Sequence, residues 1–421
     1  MPQLPPELWE NVLNKLELVD DRAALMNCAL VCKIFLAATR PRIFSTFYIQ
    51  EDSEAPRRCR EASQLLTNSP YLVPYFRTFS ISFARNVYTD QPEPTVNLAT
   101  EPSLPDLLGM FTHVEFLILD SDGRDWGEIP ARFRSALMYI ASLPTIQRVG
   151  LYGRLYRDHI EESYALLHSF KAVIELRMDI ALVHESEALF HVGTDSSPIA
   201  FRHVELDSLK FLDLSGVTID PDDREQRIDP LIHCPNVLEI LWGAPIWLFD
   251  SFVRQCTMAK FTTLGFRVDC LTGLPKDDDL VDFTACPMVQ NLGVNISLCS
   301  HDWENYAMSL RWTSNFLSQL SKDSAVQCIK LDFAVSGDWV DQNSSTDIWE
   351  DLGAHLTTLA VEGRLRHLQI RLLVSLKDAE AMRAILPVAV PLVQAAEDHF
   401  QRFRAVHGCT FEANAYIRRA S

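Results

Sequence analysis

The chain has 421 residues, 48% of them apolar, so it can bury a large core, and its length suggests two or three domains. A formal net charge of −18 argues against nucleic-acid binding, because phosphate contacts require clustered Lys and Arg. No apolar run approaches the roughly 18 residues that span a bilayer, and no signal peptide precedes the first helical pattern. We therefore expect no membrane association and a location in the cytoplasm, the nucleus or both.

The N-terminal 49 residues are predicted to form three short helices. Pro5 suits a first helical turn, where a missing N–H costs nothing, and apolar residues then recur every three or four positions from Leu4 to Leu16. A second apolar set surrounds Leu25, and a third follows from Phe35. An ordinary helical cap that buries its own apolar stripe would show the same periodicity. The order of the motifs separates these two readings.

The segment has Leu-Pro-Pro-Glu-Leu at 4–8, Val-Leu at 12–13, Leu-Val-Cys-Lys at 30–33 and Ile-Phe at 43–44. This order resembles the F-box, a helical element that attaches a substrate receptor to the Skp-type adaptor of a cullin ubiquitin ligase, and the closing pair is similar to the fungal form. Phe35 replaces the usual Trp, and the loop near residues 17–22 is longer than usual. The resemblance implies an adaptor-binding set of Leu4, Pro5, Leu8, Val12, Leu13, Leu16, Leu25, Leu30, Val31, Cys32 and Phe35.

Beyond residue 70 an apolar-x-x-apolar-x-apolar template recurs ten times, with first positions 24 to 39 residues apart. The copies are Phe76-Phe79-Ile81, Val114-Leu117-Leu119, Ile146-Val149-Leu151, Val173-Leu176-Met178, Leu209-Leu212-Leu214, Val237-Ile240-Trp242, Phe261-Leu264-Phe266, Val289-Leu292-Val294, Val326-Ile329-Leu331 and Leu365-Leu368-Ile370. Segments with helical periodicity, such as 131–143, 158–170 and 346–361, lie between them. A short strand followed by a helix, repeated in this way, predicts parallel strands with helices on the outer side.

This pattern resembles the leucine-rich repeats of many F-box receptors. The Asn or Cys that the family places three residues after the last apolar position is absent, so we expect an irregular arc held by other backbone hydrogen bonds. The predicted fold class is α/β: an N-terminal three-helix F-box followed by an irregular leucine-rich-repeat-like solenoid. The expected domains are 1–49 (F-box-like), 50–70 (connecting helix), 71–376 (solenoid) and 377–421 (C-terminal capping helices and tail).

A doubly wound α/β enzyme would also contain short buried strands. The chain has only 15 glycines and lacks a GxGxxG turn, a phosphate loop, a nucleophile elbow and an HExxH motif. Its ten cysteines are scattered without the close pairs of a zinc or redox site. We therefore expect no catalytic residues, no metal and no cofactor.

Residues that alternate with the inward apolar pair should project from each strand toward the concave surface. The predicted target-binding set is Arg148, Tyr152, Glu175, Arg177, Asp213, Glu239, Arg267, Lys330 and Arg371. By resemblance, the chain would be a non-catalytic substrate-recognition subunit of a Skp–cullin–F-box ligase, with the adaptor, the cullin scaffold and an unknown protein target as partners. The alternative is a repeat scaffold for protein–protein interaction that never enters a ligase.

Overall fold

In a computed structural model the described residues are 22–83, 98–121, 129–156, 160–183, 204–216, 218–219, 232–243, 249, 253, 261–269, 283, 286–298, 312–320, 324–336, 346–376 and 409–419. The chain divides into an N-terminal unit, Met1–Val192, and a C-terminal unit, Gly193–Ser421. Each unit combines parallel strands with helices, as the repeated strand–helix pattern predicts.

The N-terminal unit contains a helical pair followed by alternating strands and helices. Its elements are α1 (Arg22–Val31), α2 (Lys33–Ile43), β1 (Thr46–Gln50), α3 (Ala55–Asn68), β2 (Thr78–Ser82), α4 (Ser103–Met110), β3 (Phe116–Asp120), α5 (Ala131–Ala141), β4 (Arg148–Tyr156), α6 (Ile160–Ser169) and β5 (Glu175–Val183). The strands pair in parallel in the order β1-β2-β3-β4-β5. Helices α3, α4, α5 and α6 pack each against the next, so strands and helices form two layers.

The C-terminal unit also contains parallel strands, which are short from β6 to β10 and longer from β11 to β15. Its elements are β6 (Val204–Glu205), β7 (Phe211–Leu214), β8 (Thr218–Ile219), β9 (Ile232–His233), β10 (Glu239–Trp242), β11 (Thr263–Asp269), β12 (Asn291–Leu298), β13 (Cys328–Ser336), α7 (Thr346–Val361), β14 (His367–Leu376) and β15 (Thr410–Arg419). Parallel pairing runs in the order β7-β10-β11-β12-β13-β14-β15, and β6 pairs separately with β9. Residues 312–318 are also helical.

All thirty residues of the ten template copies are buried, and none exceeds 9% exposure. The middle residue of one copy lies opposite the middle residue of the next: Leu117 pairs with Val149 in β3 and β4, and Leu264 pairs with Leu292 in β11 and β12. A slip by one residue would turn every template side chain to the other face of the sheet, so the apolar pattern fixes the register. The predicted parallel strands are confirmed.

Five of the described strands match none of the ten template copies: β1, β6, β8, β9 and β15. Phe44, Phe47 and Ile49 form a further copy of the template, and β1 pairs with β2 so that Phe47 lies opposite Phe79. From the sequence, residues 44–49 were assigned to the end of the F-box-like segment. At the other end of the chain, β15 pairs with β14 along ten residues inside the region read as capping helices and tail. Residues 377–408, where those helices were predicted, lie outside the described residues.

A backbone ladder connects successive strands at the residue that follows the first template position. Its carbonyl accepts hydrogen bonds from two backbone N–H groups of the next copy: the Arg77 carbonyl from the N–H groups of Glu115 and Phe116, at 2.7 and 2.9 Å. In the C-terminal unit the Gln290 carbonyl accepts from Gln327 and Cys328 at 2.8 and 3.0 Å. We call these carbonyls the rungs. They use both lone pairs of the oxygen, so main-chain atoms alone connect these positions.

Candidate functional site

The helical pair α1–α2 exposes a group of apolar side chains where the two helices meet. The helical path is interrupted at Cys32, whose backbone is extended with a φ of −162°, so α1 ends before this residue and α2 begins after it. Leu30 is 85% exposed and Val31 is 68% exposed, while Ile34 and Met26 are also exposed. We call this group the helical corner: Met26, Leu30, Val31 and Ile34. Exposed apolar side chains in one place are typical of a surface that another protein covers.

The predicted adaptor-binding residues have different surroundings. Leu25 is fully buried, so it packs within the chain, whereas Leu30, Val31 and Cys32 are exposed and Phe35 is half-buried. The described part of the chain thus brings three predicted adaptor contacts into or beside the helical corner. The remaining members lie outside the described residues: Leu4, Pro5, Leu8, Val12, Leu13 and Leu16.

An aromatic cluster joins the end of α2 to the first strands. The Phe44 ring contacts Phe76 edge to face, with 5.9 Å between centroids, and Phe47 stacks on Phe79 at 5.7 Å. Phe111 contacts Phe47, Phe76 and Phe79 at 5.3 to 5.4 Å. Such pairs stabilise by roughly 0.5–1.5 kcal/mol each beyond area burial. The helical pair is therefore anchored to the strands at its C-terminal end.

The strand face that carries the predicted target-binding residues lies opposite the buried template residues in each unit, and we call it the open face. In the N-terminal unit Arg148 and Glu175 are register partners, and the Arg177 Nε donates to Glu175 Oε1 at 2.6 Å. The Arg148 guanidinium lies 4.9 Å above the Phe116 ring. A Cβ on Gly150 would meet the Tyr152 ring at 2.8 Å, so this ring lies over the glycine. These four predicted residues form one neighbouring group.

On the open face of the C-terminal unit, Asp332 of β13 forms a bidentate pair with Arg371 of β14. The Arg371 Nε donates to Asp332 Oδ1 at 2.6 Å, and Nη2 donates to Oδ2. Lys330 Nζ lies 3.5 Å from the same carboxylate. Arg267 belongs to the same row, because the register runs from Arg267 through Asn295 to Asp332 and Arg371.

The other two predicted residues of this unit lie away from that cluster. Asp213 Oδ1 accepts a hydrogen bond from the Ser215 backbone N–H at 2.9 Å, which fixes the turn after β7. Glu239 lies on β10, three strands from Lys330 in the pairing order. Asp332 thus joins Lys330 and Arg371. Arg267 shares the row of Arg371 but lies on β11, two strands from Lys330.

A groove on this open face was missed by the sequence analysis. It has a volume of about 530 Å³ and is lined by residues of β10 to β14. Gly265 and Gly293, which are register partners on β11 and β12, form its floor. Both glycines follow the first residue of their template copy by four positions, and this shared offset was the signal in the sequence.

Within the described ranges, no helix has both the length and the apolar character needed to cross a membrane. Among the same residues, no three potential metal ligands cluster. Burial raises the pKa of the Cys59 thiol to about 12, and the nearby Glu101 carboxylate adds to the rise.

Comparison with known proteins identifies an F-box domain at residues 1–44. The matched range ends at Phe44, the residue that begins the aromatic cluster, and it includes the whole helical corner. F-box domains bind Skp-type adaptors, and proteins that carry them are generally non-catalytic. No curated protein matches the chain.

Proposed function

We propose, from the F-box domain at residues 1–44, that this protein is the substrate-recognition subunit of a Skp–cullin–F-box ubiquitin ligase. The observation that carries the proposal is the helical corner, because it lies inside the matched range and leaves Leu30 and Val31 exposed. Burial of such side chains against an adaptor would stabilise the complex by roughly 1.5–3 kcal/mol each.

The strand units supply the second half of the proposal. Their repeated parallel strands are consistent with a leucine-rich-repeat-like solenoid, and their open faces present charges of both signs beside aromatic rings, as target-binding surfaces do. The protein would act by proximity: it binds a target while the adaptor and cullin bring a ubiquitin-loaded enzyme close to the target's lysines. In this mechanism the chain would bind the target without contacting the reacting bond. The cytoplasm or the nucleus is the proposed location.

The test is capture of the full chain by a purified Skp-type adaptor. Val31→Glu places a charge in the helical corner, and we expect it to weaken capture at least about tenfold. Val361→Glu is the matched control, because Val361 is 69% exposed on α7 and Val31 is 68% exposed on α1. Circular dichroism melts of both variants would verify that each one folds.

Equal capture of Val31→Glu, of the double variant Leu30→Glu/Val31→Glu and of Val361→Glu would contradict the proposal. A chain that binds a protein target but is never captured by the adaptor would instead be the non-ligase scaffold that the sequence also permits. The adaptor experiment alone separates these two functions, because the repeats are common to both.

A further inference from the structure

The N-terminal unit contains a long stretch whose basic residues are all arginines. Residues 34–170 contain 13 arginines and no lysine, whereas residues 171–421 contain 15 arginines and seven lysines. We call residues 34–170 the lysine-free stretch. At the proportion found after residue 170, seven of 22 basic residues, the stretch would contain about four lysines. A general preference of this chain for arginine therefore does not account for the stretch.

Three of these arginines make contacts that a lysine would make equally well. In α5 the Arg132 Nη2 donates to Asp106 Oδ1 at 2.7 Å, and before β2 the Arg77 Nη1 donates to Glu115 Oε1 at 2.8 Å. Each contact joins one nitrogen to one oxygen, and a lysine ammonium forms such ion pairs too. Arg57 in α3 pairs with carboxylates three residues before it and four residues after it, a spacing at which lysine also pairs on helices. The three arginine side chains are 48% to 63% exposed.

Other arginines of the stretch use the guanidinium itself. The Arg40 guanidinium lies over the Tyr71 ring at 5.3 Å from its centroid, and the Arg148 guanidinium lies over the Phe116 ring at 4.9 Å. A flat guanidinium stacks on a ring better than an ammonium does, so local contacts explain arginine at these two positions. At the three exposed ion pairs the remaining difference is chemical, because a lysine amine accepts ubiquitin and an arginine guanidinium does not.

The lysine-free stretch begins at Ile34, the last residue of the helical corner. The aromatic cluster then fixes the first strands of the stretch to α2, with Phe44 against Phe76. In the proposed ligase the adaptor covers the helical corner, so the stretch follows directly on the surface that joins the assembly. An exposed amine there would be held in the same assembly as the ubiquitin-loaded enzyme and would compete with the target's lysines. Lys33 precedes the stretch between Val31 and Ile34, where the adaptor would cover it.

We propose that the lysine-free stretch prevents the receptor from accepting ubiquitin in its own ligase, so that transfer goes to the bound target. In this transfer an uncharged lysine amine attacks the thioester that joins the ubiquitin C-terminus to the enzyme's cysteine. An isopeptide bond forms, the cysteine thiolate leaves and the amine loses a proton. An arginine guanidinium stays protonated and does not make this attack, yet it keeps the ion pairs of Arg57, Arg77 and Arg132. This inference rests on the proposed function, because it concerns transfer within that ligase.

The test is self-ubiquitylation of the full chain in a reconstituted ligase that contains the adaptor, the cullin scaffold and the ubiquitin-loaded enzyme. Arg57→Lys, Arg77→Lys and Arg132→Lys are compared separately with the wild type, and peptide mass spectrometry locates each attached ubiquitin. Each substitution keeps the positive charge beside its carboxylate partner, so each variant should fold, and circular dichroism melts verify this. Arg366→Lys is the matched control, because Arg366 is also exposed but lies in the C-terminal unit.

We expect ubiquitin to be attached at one or more of the three new lysines of the stretch at least about tenfold faster than at the lysine introduced at position 366. Total self-ubiquitylation of Arg366→Lys should equal that of the wild type. Discharge of the loaded enzyme onto added free lysine should be the same for every variant, because the substitutions leave the helical corner unchanged.

Absence of ubiquitin from all three new lysines, or equal attachment at position 366, would overturn the inference. Adaptor capture of the same proteins keeps the two hypotheses apart. Normal capture and normal discharge onto free lysine, without attachment at the new lysines, reject only the protective role of the stretch. A chain that the adaptor does not capture rejects the ligase assignment and this inference with it.

Discussion

The helical corner and the strand units use apolar side chains in opposite ways. In the strands, every residue of the ten template copies is buried, including Leu264 and Leu292 at the centre of the C-terminal unit. In the α1–α2 pair, Leu30 and Val31 stay exposed although Phe79 and the other template residues of the N-terminal unit are buried. The strands thus satisfy their own hydrophobic surface, whereas the corner leaves part of its surface for another molecule.

The contrast shows which region determines stability and which determines association. A side chain that is already buried stabilises the folded chain, and its loss leaves a cavity. A side chain that is exposed contributes little to folding and gains free energy only when a partner covers it. Substitutions of comparable size in the two regions should therefore affect different measurements.

The largest difference is expected in thiol reactivity. Cys59 on α3 is buried and its pKa is raised to about 12 from about 9, so its thiolate fraction at pH 8 falls by about three orders of magnitude. We expect iodoacetamide to modify Cys59 at least about a thousandfold more slowly in the folded than in the unfolded chain. Exposed Cys32 should react at similar rates in both. Peptide mass spectrometry after timed labelling provides the measurement.

The same pKa has a consequence for stability. Because the folded-state pKa of Cys59 lies above the unfolded value, the unfolded chain loses this proton first as the pH rises. The protonated Cys59 thiol therefore makes its full contribution to the free energy of unfolding below about pH 9. This contribution is lost as the pH rises from about 9 to about 12. A Cys59→Ala variant with no smaller loss of stability over this pH range would contradict the assignment.

The next largest effect is expected from a cavity in the strand core. Leu292→Ala should lower the free energy of unfolding by about 2–5 kcal/mol, because Leu292 is 1% exposed between Leu264 and Ile329. Leu30→Ala in the helical corner should change it by less than about 0.5 kcal/mol. Urea denaturation of both variants measures the difference, and similar losses would show that the corner is packed in solution.

A smaller effect is expected on the open face of the C-terminal unit. Asp332→Ala removes the carboxylate that accepts from Arg371 and lies near Lys330, and the cost should be about 1.5–3 kcal/mol. In a double-mutant cycle with Arg371→Ala, most of this cost should appear as coupling between the two residues. If the two single effects add, the ion pair does not stabilise the unbound chain. Denaturation midpoints at low and high salt would provide the data.

Much of the fold could be predicted because the template has the period of a strand and recurs with the same internal spacing. That spacing fixed the buried face and, through it, the register of neighbouring strands such as β11 and β12. The copy at Phe44-Phe47-Ile49 was missed because its first residue also closes the F-box motif. β15 was missed because the last template position, two residues after Phe411, is occupied by the small Ala413 instead of a large apolar residue.

The candidate site was less predictable for a physical reason. The alternation of side chains identified residues of the open face, but their grouping depends on which strands are neighbours and on side-chain reach. Asp332 brings together Lys330, on the same strand, and Arg371, on the neighbouring strand. Arg371 is 39 residues from Asp332 in the sequence. Gly265 and Gly293 create a groove only through register, since a single glycine in a strand would not form one.

The rungs connect successive strands through main-chain atoms alone, and the residues that carry them are chemically unrelated: Arg77, Glu115, Lys210, Leu238 and Gln290. No side chain is needed to keep one strand aligned with the next, so these positions can accept almost any substitution except proline, which cannot donate. The connections between rungs can also differ in length without disturbing the alignment. The architecture can therefore persist while the amino-acid sequence drifts far from any shared consensus.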